Sequence, residues 1–162
     1  MDIPLIEQVK IQAQVLVPIV KALQAELGEE RAHAIVRRAL GDLYRNYGEK
    51  WWRTQGPGNL GEKVASAFEM FAAGNALKYE VVKKAPDAFE VNVTECGYAK
   101  FYSKIGAPEL GFLLTCSADF SHAEGFGANV QLTRTQTIMQ GASHCDFRYV
   151  LKRAEKSPDD GQ

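Results

Sequence analysis

"LKYEVVKKAPDAFEVNVTEC", residues 77–96, is where the chain changes period. Both halves alternate apolar with polar residues and are rich in Val, Tyr and Phe, and Pro86-Asp87 separates them, so they read as the two strands of a hairpin. Before it the period is helical. From residue 4 to about 28, Leu5, Val9, Leu16, Ile19, Val20, Leu23 and Leu27 recur at helical spacing, with Pro18 expected to kink the element or mark its start. A second run opens on Glu29 and Glu30 and keeps Ala32, Ile35, Val36, Ala39, Leu40, Leu43, Tyr44 and Tyr47 on one stripe. Trp51 and Trp52 follow, a pair suited to packing at a helix end or to a lid over a ligand. "TQGPGNLG" is a loop, and a third helix spans Leu60 to about Gly74.

After the hairpin, residues 97 to about 124 return to helical period. Pro108 is placed to open a helix there, and residues 108 to 124 are expected to form it. "ANVQLTRTQTIM" and "HCDFRYVLK" then supply two more strands, joined at Gln140-Gly141. This order predicts an α+β fold in which N-terminal helices pack with an antiparallel sheet of about four strands carrying a helical insertion. The length of 162 residues fits one domain over 1–152, with a helical half 1–75 and a sheet half 76–152. Residues 153–162 read as a flexible tail with nothing to bury.

A net charge of -1 offers no footprint for nucleic acid or an anionic membrane, and "VLVPIV" is too short and broken for a signal peptide or a span. A cytoplasmic location is therefore expected, and a homo-oligomer is left open. Three cysteines, separated by 19 and 28 residues and without a Cys-x-x-Cys pair, argue against a disulfide framework or a zinc ribbon. Together with His122, His144 and Asp119 they are zinc-ligand types, but the spacing is irregular, and no cofactor is expected.

Two groups of residues could carry chemistry. In "GASHCDFRY", residues 141–149, strand alternation puts Cys145 with Phe147, Tyr149 and Leu151, while His144, Asp146 and Arg148 face the other way, where they can bind neighbouring segments. The same rule groups Asn92, Thr94 and Cys96 in "EVNVTEC", opposite Phe89, Val91 and Val93. In the insertion, Cys116, Asp119 and His122 follow at i, i+3 and i+6 on one side of a helix. A carboxylate and an imidazole near a thiol are what an activated cysteine needs, because only the thiolate attacks well.

"NVTECGYAKFY", "LGFLLTCSADF" and "LTRTQTIMQGASHCDFRY" resemble, in order and spacing, the L-2-amino-thiazoline-4-carboxylic acid hydrolase family, and Gly141 to Tyr149 is the most specific piece. More distantly the cysteine-bearing half is similar to vinyl-reductase-type small-molecule-binding domains. The resemblance implies a hydrolase opening a small heterocyclic, thiazoline- or amidine-like carboxylate at a C–N or C–S bond. It implies Cys96, Cys116, Asp119 and Cys145 around one pocket, with Cys116 or Cys145 as nucleophile and Asp119 or His122 as base. Arg134 or Arg148 would hold the carboxylate, and Asn92 and Thr94 would contact substrate. The alternative is a non-catalytic domain holding a small molecule or metal as a sensor or accessory subunit.

Overall fold

A computed structural model describes residues 2–153. Three helices lead: α1 (Leu5–Leu27), α2 (Glu29–Thr54) and α3 (Leu60–Ala72). Pro18 lies inside α1 rather than at its start. Both Pro18 and Gln14, whose carbonyl loses its donor, are exposed, so water can take the place of the missing N–H. Gly28, at φ 82°, separates α1 from α2 in a conformation that costs glycine little. The two helices pack as a hairpin, tied by a 2.8 Å bond between Gln24 and His33.

α2 continues past Tyr47 through both tryptophans. Gly48 does not stop it, because this glycine serves packing: a Cβ there would lie 1.9 Å from the carbonyl oxygen of His122. α3 begins on a capping box in which Asn59 and Glu62 satisfy each other's backbone N–H.

The expected hairpin forms as β1 (Leu77–Ala85) and β2 (Ala88–Cys96). The insertion follows as α4 (Gly97–Lys104), α5 (Pro108–Gly111), a π-helical turn (Phe112–Cys116) and α6 (Ala118–Gly125). Residues 108–124 are thus not one regular helix. The π turn breaks it, with the Ser117 N–H and hydroxyl both donating to Phe112 O.

β3 is Val130–Thr133 and β4 is Cys145–Leu151, and the antiparallel sheet runs β1-β2-β4-β3. The strand expected over residues 128–139 ends at Thr133. Beyond it, Asp146 takes the amides of Thr135 and Gln136, and Thr137 caps a 3-10 turn over Ile138–Gln140. The tail expected from residue 153 lies outside the described residues, Arg153 excepted.

One sheet face is apolar: Phe89, Val91, Val93, Cys145, Phe147 and Tyr149 are all buried. Against it sits Phe68 of α3, at the centre of a second cluster that also takes in Ala123 and Phe126. A first cluster joins α1 to α4 and α5 through Val9, Ala13, Tyr102 and Leu110. No helix among the described residues is long and apolar enough to cross a membrane.

Candidate functional site: a cavity with one ion pair on its wall

Between these two clusters lies a cavity of about 460 Å³. α2 supplies Tyr44, Tyr47, Lys50, Trp51 and Thr54, and α3 supplies Phe68 and Phe71. The sheet contributes Val93, Cys96, Cys145 and Phe147, and the insertion contributes Cys116, Asp119 and His122. Its exposed rim is formed by Gln8 and Gln12 of α1 with Tyr47, Lys50 and Thr54. That volume is within the range of roughly 300–1,000 Å³ common for small-molecule sites.

All three cysteines, far apart in sequence, line this one cavity. Cys96 gets there by a β-bulge. Lys78 pairs with Glu95 but Tyr79 pairs with Val93, so Thr94 is an extra residue on β2. The bulge reverses the alternation, and Cys96 comes to the same face as Val93. The grouping of Asn92, Thr94 and Cys96 on one face is therefore corrected. Asn92 and Thr94 do not line the cavity. Asn92 accepts from Arg148, and the Thr94 hydroxyl donates to Lys78 O.

Arg148 is likewise outside. Its guanidinium donates to Val91 O, Phe147 O and Asn92, with Glu90 3.8 Å away. Arg134 is inside, with its side chain only 2 % exposed. It donates to Asp119 at 2.6 Å and to Cys116 O at 3.1 Å, and its charged plane lies over Phe120 and Phe147. Already neutralised and enclosed, Arg134 is poorly placed to take a substrate carboxylate. The remaining cation on the lining is Lys50 at the rim, which makes no ion pair among the described residues.

Asp119 fronts the cavity with 27 % of its side chain exposed. Burial pushes its carboxyl up, Arg134 pulls it back, and it comes to about 6. His122 also lines the cavity, edge-on to Phe71 and Phe126, and burial pushes it down to about 4, so it is neutral at physiological pH.

Burial raises all three thiols. Cys96 rises to about 11 despite accepting the Ala99 N–H, Cys116 rises further with Asp119 beside it, and Cys145 rises although Ile138 N–H and Arg134 oppose the change. An activated nucleophile needs the reverse. Cys116 and Cys145 of the native protein are therefore expected to react with iodoacetamide at neutral pH at least about tenfold more slowly than free cysteine. Faster labelling of either would restore the thiolate. Among the described residues no three His, Cys, Asp or Glu side chains are grouped to hold a metal ion.

Of the α2 wall only Trp51 was anticipated, as half of a pair that could cover a ligand. The wall's signal is the continuation of the Leu40, Tyr44, Tyr47 stripe to Trp51, which keeps aromatic residues on one helix face beyond what two-helix packing requires. Trp51 Nε1 is buried without a hydrogen-bond partner among the described residues. Trp52 has the plain packing role, stacked on Phe126 under Lys63.

Fold and cavity together define a class: an α+β protein folded around an internal chamber the size of a small organic molecule. A family model for L-2-amino-thiazoline-4-carboxylic acid hydrolase matches residues 8–149, and the chain belongs to that family. No curated protein matches the sequence. Among solved structures, the phenol-responsive sensory domain of the transcription activator PoxR, crystallised with phenol, is similar with a TM-score of 0.55. The alignment covers 85 % of this chain and 73 % of that one at 10 % identity, so the likeness is one of fold.

Proposed function

We propose that this protein takes up a flat, largely apolar small molecule, with its rings among the aromatic residues of α2 and α3 and its polar edge toward Asp119. The observation that carries this reading is an apolar cavity of about 460 Å³ with one internally neutralised ion pair, Asp119–Arg134, on its wall. Such a chamber favours apolar surface with a few oriented polar groups. It suits an amino-thiazoline carboxylate less well, because that ring is small and charged, and Arg134 has no free charge to offer it. The phenol bound by the PoxR sensory domain, a similar fold, is a ligand of the favoured kind.

A second reading is favoured by Asp119 itself. A cavity carboxyl near 6 is ionised enough at neutral pH to take a proton from water and can return it to a leaving nitrogen or sulfur. Hydrolysis in this protein would then run through activated water rather than through a thiol.

One panel separates the two. Phenols, heteroaromatics and 2-amino-thiazoline-4-carboxylate are titrated by calorimetry, and each mixture is assayed for product. Binding of aromatic compounds without turnover supports reception. Turnover whose rate rises with pH through about 6 and is lost in Asp119→Asn but kept in Cys116→Ala supports hydrolysis. No binding by any member would sink both.

A further inference from the structure

Three consecutive residues, His144 and the first two of β4, each hold a part of the segment that follows β3. The backbone carbonyl of His144 accepts from the Gln136 side chain at 2.9 Å. Cys145 Sγ accepts the Ile138 N–H at 3.2 Å. Asp146 accepts the Thr135 N–H at 2.8 Å, the Gln136 N–H at 3.0 Å and the Thr135 hydroxyl. Arg134 is the residue immediately before this clasp. From the geometry we infer that Asp146, on the face of the sheet turned away from the cavity, is the positioning residue that sets Arg134 against Asp119.

The reasoning is one of alternation. β3 stops at Thr133, so no ladder bond fixes the residues after it. With the amides of Thr135 and Gln136 drawn to the outer face by one carboxylate, the side chain one step earlier is turned inward. There it meets Asp119 and the Cys116 carbonyl. Burial alone would raise Asp146, but its bonds from Thr135 and Gln136 outweigh that and hold it below the usual carboxylate range, so the clasp stays charged.

The inference rests on the reading of this cavity as the ligand site, and its test is read without ligand. The probe is the Asp119 carboxyl, followed by ¹³C NMR against pH. The titratable groups facing it are Tyr44 from α2, Tyr98 from α4, Cys116 from the π turn and Tyr149 from β4, all held uncharged by burial, together with Cys96 and Cys145. Neutral His122 shares its helix, which leaves Arg134 as the charge that acts on it.

Asp146→Ala should move the Asp119 midpoint up by about 1 unit, the scale on which displacing an opposite charge acts. Asp146→Asn keeps the oxygen that accepts both amides and should titrate like the parent. Should the alanine variant fail to fold, Asp146→Thr, a good strand former able to replace only part of the clasp, should still move the midpoint upward. An unchanged midpoint in a folded alanine or threonine variant, whatever its thermal stability, overturns the inference. Failure of every compound in the binding panel would sink the proposed function and leave this result standing.

Discussion

Phe68→Ala is expected to lower the unfolding free energy by about 3–5 kcal/mol, the range for removing a buried aromatic side chain. Phe68 is fully enclosed, and its ring lies 5.2–6.2 Å from those of Phe71, Tyr79, Phe89, Phe147 and Tyr149. Four of those five belong to the sheet, so this one side chain is the joint between α3 and all three of the strands β1, β2 and β4. Several of the contacts are tilted or edge-on, the geometries worth about 0.5–1.5 kcal/mol each beyond area burial. The vacated volume opens onto the existing cavity, so the surroundings have little to collapse onto. A fall in Tm of about 10 °C or more by calorimetry would agree with this for a chain of this size. A fall of less than about 2 °C would mean that the sheet and α3 are held together elsewhere.

The hairpin of residues 77–96 was legible because one face of β2 is packed, and burial on one face writes period 2 into a sequence. Face assignment by strict alternation then held for β4, where Cys145, Phe147 and Tyr149 do point inward, and failed for β2 at Thr94. A bulge adds one residue without any necessary mark in composition, which is why Asn92 and Thr94 were grouped with the wrong thiol partner. The role of Gly48 was hidden for a different reason. Nothing within α2 marks it as a packing glycine, yet it is required by the His122 carbonyl of a segment more than seventy residues away. β3 was overextended because Thr-Arg-Thr-Gln-Thr alternates well enough for a strand, while Asp146 competes for its amides through side-chain bonds that periodicity does not register. "GASHCDFRY" itself is half cavity wall and half clasp: Cys145 faces the chamber, and His144 and Asp146 fasten the Arg134 segment. The electrostatic character of the site was least legible. A thiol near a carboxylate suggests activation on paper, but the sign of the shift depends on burial, and here burial raises the thiols.

Burial also makes the Asp119–Arg134 pair sensitive to pH. An unfolded aspartate titrates at about 4, whereas Asp119 in the fold is at about 6, chiefly through desolvation that Arg134 only partly offsets. Because the folded value is the higher one, the folded state is favoured most where both forms are protonated, below about pH 4, and loses stability as pH rises through the folded value. Arg134→Met removes the compensating cation from a carboxylate that stays buried. Its folded value must then rise further, and the loss relative to the parent should reach about 3–5 kcal/mol at pH 8, the usual cost of stranding one member of a buried pair. At pH 4 the Asp119 carboxyl is protonated in either fold, so only the lost bond to the Cys116 carbonyl and the contacts with Phe120 and Phe147 remain, and the difference should shrink to about 1–2 kcal/mol. Urea unfolding of parent and variant across this interval gives the comparison directly. An equal deficit at both ends would mean that Arg134 stabilises the fold by packing alone and that Asp119 carries no charge when the protein is folded.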